Sequence, residues 1–426
     1  MSNSNAETAT PTELNEVEGA RVGWLELFYD LVVVAWLAHT NMLIIGGEEA
    51  YADPFEEGGS FVPLVIGAGL VLYVVWMTMT TINNKFPASG LVRRTTMFGQ
   101  MFFMLVAMLS FDPGGLPTSY GIGSIGIIFL ICGIAYADVG IRIPAVRRSM
   151  FASAGAAMVA FLICLGGAIV SSLEHPLPAL PFAVAGAVIL MIPLAAFYRP
   201  KAQTAFRIDM HHLDERWGQL TLITLGESFL LFAEELTGVH EIPNLWLFFI
   251  VFVTIVAIWR LYFDSAMRRP YKIEPHARHY YVLIVAQFFL IIGLISTIDA
   301  MVDAVAGISE DWDLVFALLI VGTIVLMLSL TLLTWARRGR IEGVVVTNLV
   351  MVLVLGHWTQ LAMNEDAIDI PPQVFVVGVC LFITAYAWCI NLLDKHANRL
   401  FQSKLPSTSR LHQAAAQSND ATQSQQ

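Results

Sequence analysis

WLELFYDLVVVAWLAHT, from Trp24 to Thr40, reads as a membrane-spanning helix that carries acids. It is apolar enough to enter a bilayer, yet it carries Glu26, Asp30 and His39. A carboxylate at the centre of a membrane costs about 3 kcal/mol on insertion scales. Glu26 and Asp30 are four residues apart, so a helix places both on one face. A span that tolerates two acids there needs partners for them from elsewhere in the chain.

Working outward, the composition fits a membrane origin for this stretch. Of 426 residues, 57% are hydrophobic and 13% charged, against roughly half and a quarter in soluble domains. Mean hydropathy is +0.68. Twelve apolar runs, from Trp24–Ile45 to Gln373–Leu393, are long enough to read as transmembrane helices. The expected fold is therefore an all-α polytopic bundle of about twelve transmembrane helices. All 23 Lys and Arg fall in the tails or in alternate loops, among them Arg93, Arg142, Arg216 and Arg337. The opposite loops carry acids, such as Glu48, Glu49, Asp53, Glu56 and Glu57. Basic loops face the cytoplasm, so both termini are expected there and the chain in a cell inner membrane. The net charge of −11 then belongs to outward loops and gives no reason to expect nucleic acid. The first twenty residues are polar and acidic, without the basic start of a cleavable signal.

The runs also repeat. Glu26-x-Phe28-x-Asp30-Leu31 aligns with Glu215-x-Trp217-x-Gln219-Leu220, Trp76 with Trp259, and QMFFMLVAML from Gln100 with QFFLIIGLIS from Gln287. The expected organisation is a disordered tail over 1–22, a first six-helix repeat over 23–199, a linker over 200–216, a second repeat over 217–394 and a disordered tail over 395–426. Six spans is an even number, so the repeats are expected to be parallel, a plan that transporters use with sites between the halves. Gene doubling without any central site gives the same pattern.

WLELFYDLVVVAW resembles the opening signature of the bacterial low-temperature-requirement A (LtrA) family, and ERWGQLTLITLGES, Glu215 to Ser228, resembles its second. The resemblance covers about Gly23 to Asn391. It implies a multi-pass bacterial inner-membrane protein linked to growth at low temperature.

Several intramembrane polar residues are candidates for chemistry. Glu227 is ten residues beyond Trp217, roughly 15 Å along its span, and a midplane acid suggests a proton or ion site. It also fits a protonated packing residue. Asp30 and Glu26 lie nearer the cytoplasmic end, where a helix N-terminus and loop arginines could satisfy them. His39 and His357 could relay protons or pack. Gln219 shares a face with Glu215 and Glu227. Gln100 and Gln287 are expected to bond between helices, and Arg260 to meet Asp264 one turn away. Gly226, before Glu227, could loosen a turn. The four cysteines sit in apolar runs without CxxC spacing, so neither disulfides nor a metal are expected. No catalytic residue set and no cofactor motif is legible, including Walker, HExxH and GxSxG patterns. The leading expectation is a secondary-transporter-like carrier, its partners being the lipid bilayer and a small solute or ion. The alternatives are a passive cation channel, a membrane-embedded enzyme or lipid-handling protein using Glu26, Asp30, Asp138, Asp209, His211, His212 and Asp214 at the cytoplasmic face, and a sensor without substrate.

Overall fold

In hydrocarbon each backbone N–H and C=O must be satisfied within its own segment, so apolar runs of this length become helices. A computed structural model describes residues 23–46, 61–86, 90–110, 118–173, 180–197, 208–237, 245–267, 277–306, 312–338, 343–362 and 372–403. Among the described residues there are no strands and twelve α-helices. These are α1 (Trp24–Gly46), α2 (Phe61–Lys85), α3 (Gly90–Met108), α4 (Ser119–Arg142), α5 (Arg147–Ser171), α6 (Leu180–Phe197), α7 (Met210–Thr237), α8 (Leu245–Arg260), α9 (Ala277–Ala306), α10 (Trp312–Arg338), α11 (Gly343–Ala362) and α12 (Pro372–Ser403). A 3-10 turn, Pro144–Val146, precedes α5, and a π-helical turn, Leu261–Met267, extends α8. Among the described residues six segments are long and apolar enough to cross a membrane: Ile66–Lys85, Ser119–Arg142, Pro144–Ser171, Trp246–Met267, His279–Ala304 and Leu318–Arg337.

Two element boundaries differ from expectation. The linker expected over 200–216 is helix from Met210 onward. Asp209 Oδ1 accepts from the backbone N–H of His211 at 2.9 Å and of His212 at 3.2 Å, an N-cap that starts the helix seven residues before Trp217. At the other end α12 continues to Ser403, past the expected tail boundary at Lys395. The tail residues 1–22 and 404–426 and the acidic loop from Glu48 to Glu57 lie outside the described residues.

The chain packs as two units, Met1–Glu234 and Glu235–Gln426. In the first, α4 packs on α3 and α5, α6 on α5 and α2, and α1 on α2 and α3. Gly126, Gly133 and Gly140 of α4 face Cys164, Ala157 and Met150 of α5, and a Cβ at Gly126 would lie 2.9 Å from that of Cys164. Both sets recur every seven residues but in opposite order, so the two helices run antiparallel. In the second unit α9 packs along α10, α10 on α11, and α8 on α12. There a Cβ at Gly293 would fall 2.7 Å from the Leu326 amide nitrogen. Small residues bring these backbones together, as they do between helices in lipid. On α5 the buried set is Met150, Ala157, Ala160 and Cys164, while Phe151, Met158, Leu162 and Ile169 are exposed. Large apolar groups outside and small ones inside suit a lipid solvent and not an aqueous one.

Candidate functional site: a buried charged cluster on α1, α2, α3 and α7

The two acids of α1 find their partners within the first unit. Glu26 and Asp30 share one face, and both are buried, at 2% and 0% exposure. The α7 residues His212 and Arg216, also four apart, meet that face. His212 Nε2 is 3.4 Å from Glu26 Oε2, and Arg216 Nη2 is 2.7 Å from Asp30 Oδ1. Two pairs ascending together along both helices mean that α1 and α7 run in the same direction here.

Glu26 is fully engaged. Besides His212, its Oε2 accepts from the Gly23 amide at 3.0 Å, and Arg93 Nη2 on α3 donates to Oε1 at 2.5 Å. The helix N-terminus and the basic group anticipated for it are thus both present. His212 is held from behind by Asn84 of α2, whose Nδ2 is 3.4 Å from His212 Nδ1. A side-chain amide N–H can only donate, so His212 Nδ1 accepts and Nε2 carries the proton toward Glu26. Asn84 also clasps the start of α7, donating to the Asp209 carbonyl at 2.8 Å and accepting from the Asp209 amide at 2.9 Å.

Asp30 lies one turn deeper. Trp76 Nε1 of α2 donates to its Oδ1 at 2.6 Å, the same oxygen that Arg216 contacts. The Arg216 guanidinium stands 5.5 Å from the Trp76 ring centroid, and its Nη2 reaches Thr80 Oγ1 at 3.4 Å. Trp76, which meets both members of the pair, and Tyr29 and Trp217, next to them in sequence, are large, fully buried side chains. Yet Asp30 Oδ2 and Arg216 Nε and Nη1 are buried with no hydrogen-bond partner. Each such group costs about 1–3 kcal/mol when left unsatisfied. The cluster sets two carboxyl groups against two guanidinium groups. Beside it, Tyr29 donates to Gln100 Oε1 at 3.0 Å, and Gln100 Nε2 contacts Cys132 Sγ at 3.1 Å. The interhelical bond expected of Gln100 is therefore made by Tyr29.

The other candidates are placed as follows. Glu227 is half-buried on α7. Eleven residues from Arg216, it returns to nearly the same side of the helix after three turns, about 16 Å further on. Thr221, Thr224 and Ser228 are buried there, donating to the carbonyls of Trp217, Leu220 and Thr224. Gln219 is half-buried, and its Oε1 has no partner among the described residues. His39 is half-buried on α1, half a turn out of phase with Asp30. In the second unit His357 is exposed on α11, and Gln287 is buried with Tyr262 donating to it at 3.3 Å. Asp264 lies in the π-helical turn, and Arg260 stands 4.3 Å from the ring centroid of Trp388. Asp138 pairs with Arg142 at 2.6 Å. An apolar cavity of about 80 Å³ lined by Val354, Leu355, Gly378, Val379 and Phe382 belongs to the second unit and includes none of these residues.

Sequence reasoning missed Arg216, Arg93, Trp76 and Asn84. Arg216 is the consequential miss, since the charge pattern assigned it to a loop and it is instead a buried helix residue. The signal was available: an Asp cap at position 209 extends the helix over Arg216.

No curated protein matches the chain. The family model of the bacterial low temperature requirement A protein (LtrA) matches residues 21–390, and with its membrane helices this chain belongs to the LtrA family.

Proposed function

We propose that this LtrA-family membrane protein is a secondary-transporter-like carrier of a small solute or ion, coupled to proton movement at the Asp30–Arg216 pair. The observation that carries the reading is a fully buried ion pair with three polar atoms unused. Structure alone gains little from such a pair, because desolvation offsets most of its attraction. Buried ionisable groups of this kind mark solute and proton pathways in membranes. Glu26, His212 and Arg93 form the connection toward the half-exposed side of Arg93. Glu227 continues the titratable face along α7.

The reading includes twelve spans in two parallel six-helix repeats, an inner-membrane location and cytoplasmic termini. The common direction of α1 and α7 supports an even number of crossings between them. The test is proton flux into proteoliposomes under an imposed pH gradient. Asp30→Asn is expected to abolish it and Glu227→Gln to slow it. Flux that Asp30→Asn leaves intact refutes the role of the pair.

A further inference from the structure

The second unit carries a cation whose counter-charge the described residues do not supply. Arg260 is half-buried at the end of α8, and its guanidinium lies over the ring of Trp388 on α12, 4.3 Å from the centroid. Among the described residues the Arg260 side chain makes no hydrogen bond and no ion pair, and its Nε is buried without a partner. The nearest carboxylate in sequence, Asp264 in the π-helical turn, is half-buried and leaves Arg260 unbonded. A cation in a membrane span is costly unless an anion meets it.

Position identifies where that anion comes from. Thr254 Oγ1 meets the Cys380 carbonyl at 3.4 Å and Thr384 Oγ1 at 3.3 Å. Arg260 meets Trp388 further along both helices, so α8 and α12 run the same way and end on the same side of the membrane. The apolar segments end two residues beyond Trp388, at Ile390, and seven residues beyond Arg260, at Met267. Seven residues is roughly 10 Å, a depth from which an arginine snorkels to the headgroups. Trp259 and Trp388 are both exposed there, as tryptophans are at the membrane–water boundary. Away from that end the outward faces are apolar: Phe252 and Val256 on α8, Val374 and Leu381 on α12, all exposed. Val374, Leu381 and Trp388 recur every seven residues, so they form one stripe along α12.

We propose that Arg260 and Trp388 hold the phosphate of an anionic phospholipid, whose acyl chains lie along these exposed apolar rows. Contact with the indole ring positions the guanidinium, and its remaining N–H groups donate to phosphate oxygens. A free phosphate would use the arginine alone and a hydrocarbon chain the rows alone; a phospholipid uses both. One uncompensated positive charge favours a lipid of net negative charge over a zwitterionic one. The assignment needs only the membrane location and is independent of transport.

The test uses the full-length protein in phosphatidylcholine vesicles that contain a trace of phosphatidylglycerol with a photoreactive headgroup. Crosslinks are mapped by peptide mass spectrometry. The expected result is label concentrated on peptides that contain Trp259 to Phe263 and Trp388. Enriching the bilayer in unlabelled phosphatidylglycerol is expected to displace it, while phosphatidylethanolamine and inorganic phosphate do not. Arg260→Gln is expected to lower the label about tenfold or more. Label no denser at these peptides than elsewhere on the chain overturns the site. Equal displacement by phosphatidylethanolamine overturns the preference for net negative charge, and displacement by inorganic phosphate overturns the lipid as the source. Crosslinks between two copies of the chain at these peptides, in place of lipid label, make the face a protein interface and overturn the proposal. Full label on Arg260→Gln removes the arginine from it. The wild-type competition decides the outcome if that variant folds poorly.

Discussion

Each unit buries an arginine. In the first unit Arg216 faces a carboxylate, Asp30, and keeps donors unused. In the second, Arg337, 4% exposed, donates to the backbone carbonyl of Met267 at 3.1 Å, at the end of the π-helical turn. Both units also bury a tyrosine that donates to a glutamine, Tyr29 to Gln100 and Tyr262 to Gln287. The tyrosine–glutamine device is thus common to both units. Among the described residues the least exposed carboxylates are Glu26 and Asp30 of the first unit, while Asp299 of the second is half-buried. An aspartate facing a buried arginine adds a second buried charge, which is tolerated where the charge has a task.

The largest test of that contrast removes one partner. Arg216→Ala strands Asp30 in an apolar setting and is expected to destabilise the protein by about 3–5 kcal/mol, read by thermal unfolding in detergent. The double replacement Asp30→Leu with Arg216→Met is expected to recover most of that loss while transport stays absent. If the double variant is as unstable as the single one, the pair is structural.

A smaller effect is expected at the closest helix contact of the second unit. Gly293→Ala would place a methyl group 2.7 Å from the Leu326 amide nitrogen, and overpacking of this kind costs about 1–3 kcal/mol. Unfolding that is unchanged in this variant indicates that α9 and α10 separate readily.

Tyr29→Phe and Tyr262→Phe sharpen the shared part of the comparison. Each is expected to cost about 1 kcal/mol or somewhat more, by leaving a buried glutamine oxygen without its donor. Equal losses support one neutral device used twice. A drop in proton flux confined to Tyr29→Phe extends the charged site to its neighbour. The smallest change is Gly226→Ala. Space around that position is open, and alanine favours helix by up to about 1 kcal/mol. Slight stabilisation with normal flux is expected; a loss of flux instead assigns α7 a loosened turn beside Glu227.

Much of the fold was legible because apolar length maps directly onto helix in a medium without water. The runs Trp24–Ile45 and Trp312–Trp335 begin where α1 and α10 begin. The candidate site was half legible. Glu26 and Asp30 stood out because an acid in an apolar run is costly wherever it points. Arg216 did not, because a basic residue beside a polar segment reads equally well as a cytoplasmic loop cation. Trp76 was visible as a repeat marker, but its indole N–H could be assigned to Asp30 only once α2 was placed beside α1. Tertiary pairing over such distances leaves no periodic trace in the chain.

The separation itself has a consequence for how the protein is made. His212 follows Glu26 by 186 residues, and Arg216 follows Asp30 at the same interval. At 5–20 residues per second of synthesis, Asp30 leaves the ribosome roughly ten to forty seconds before its guanidinium exists. During that wait Trp76, 46 residues behind it, is the earlier of its two partners to arrive. Insertion of the first helix must therefore outlast six further helices of translation, with lipid headgroups or the insertion machinery shielding the acid until the seventh helix is delivered.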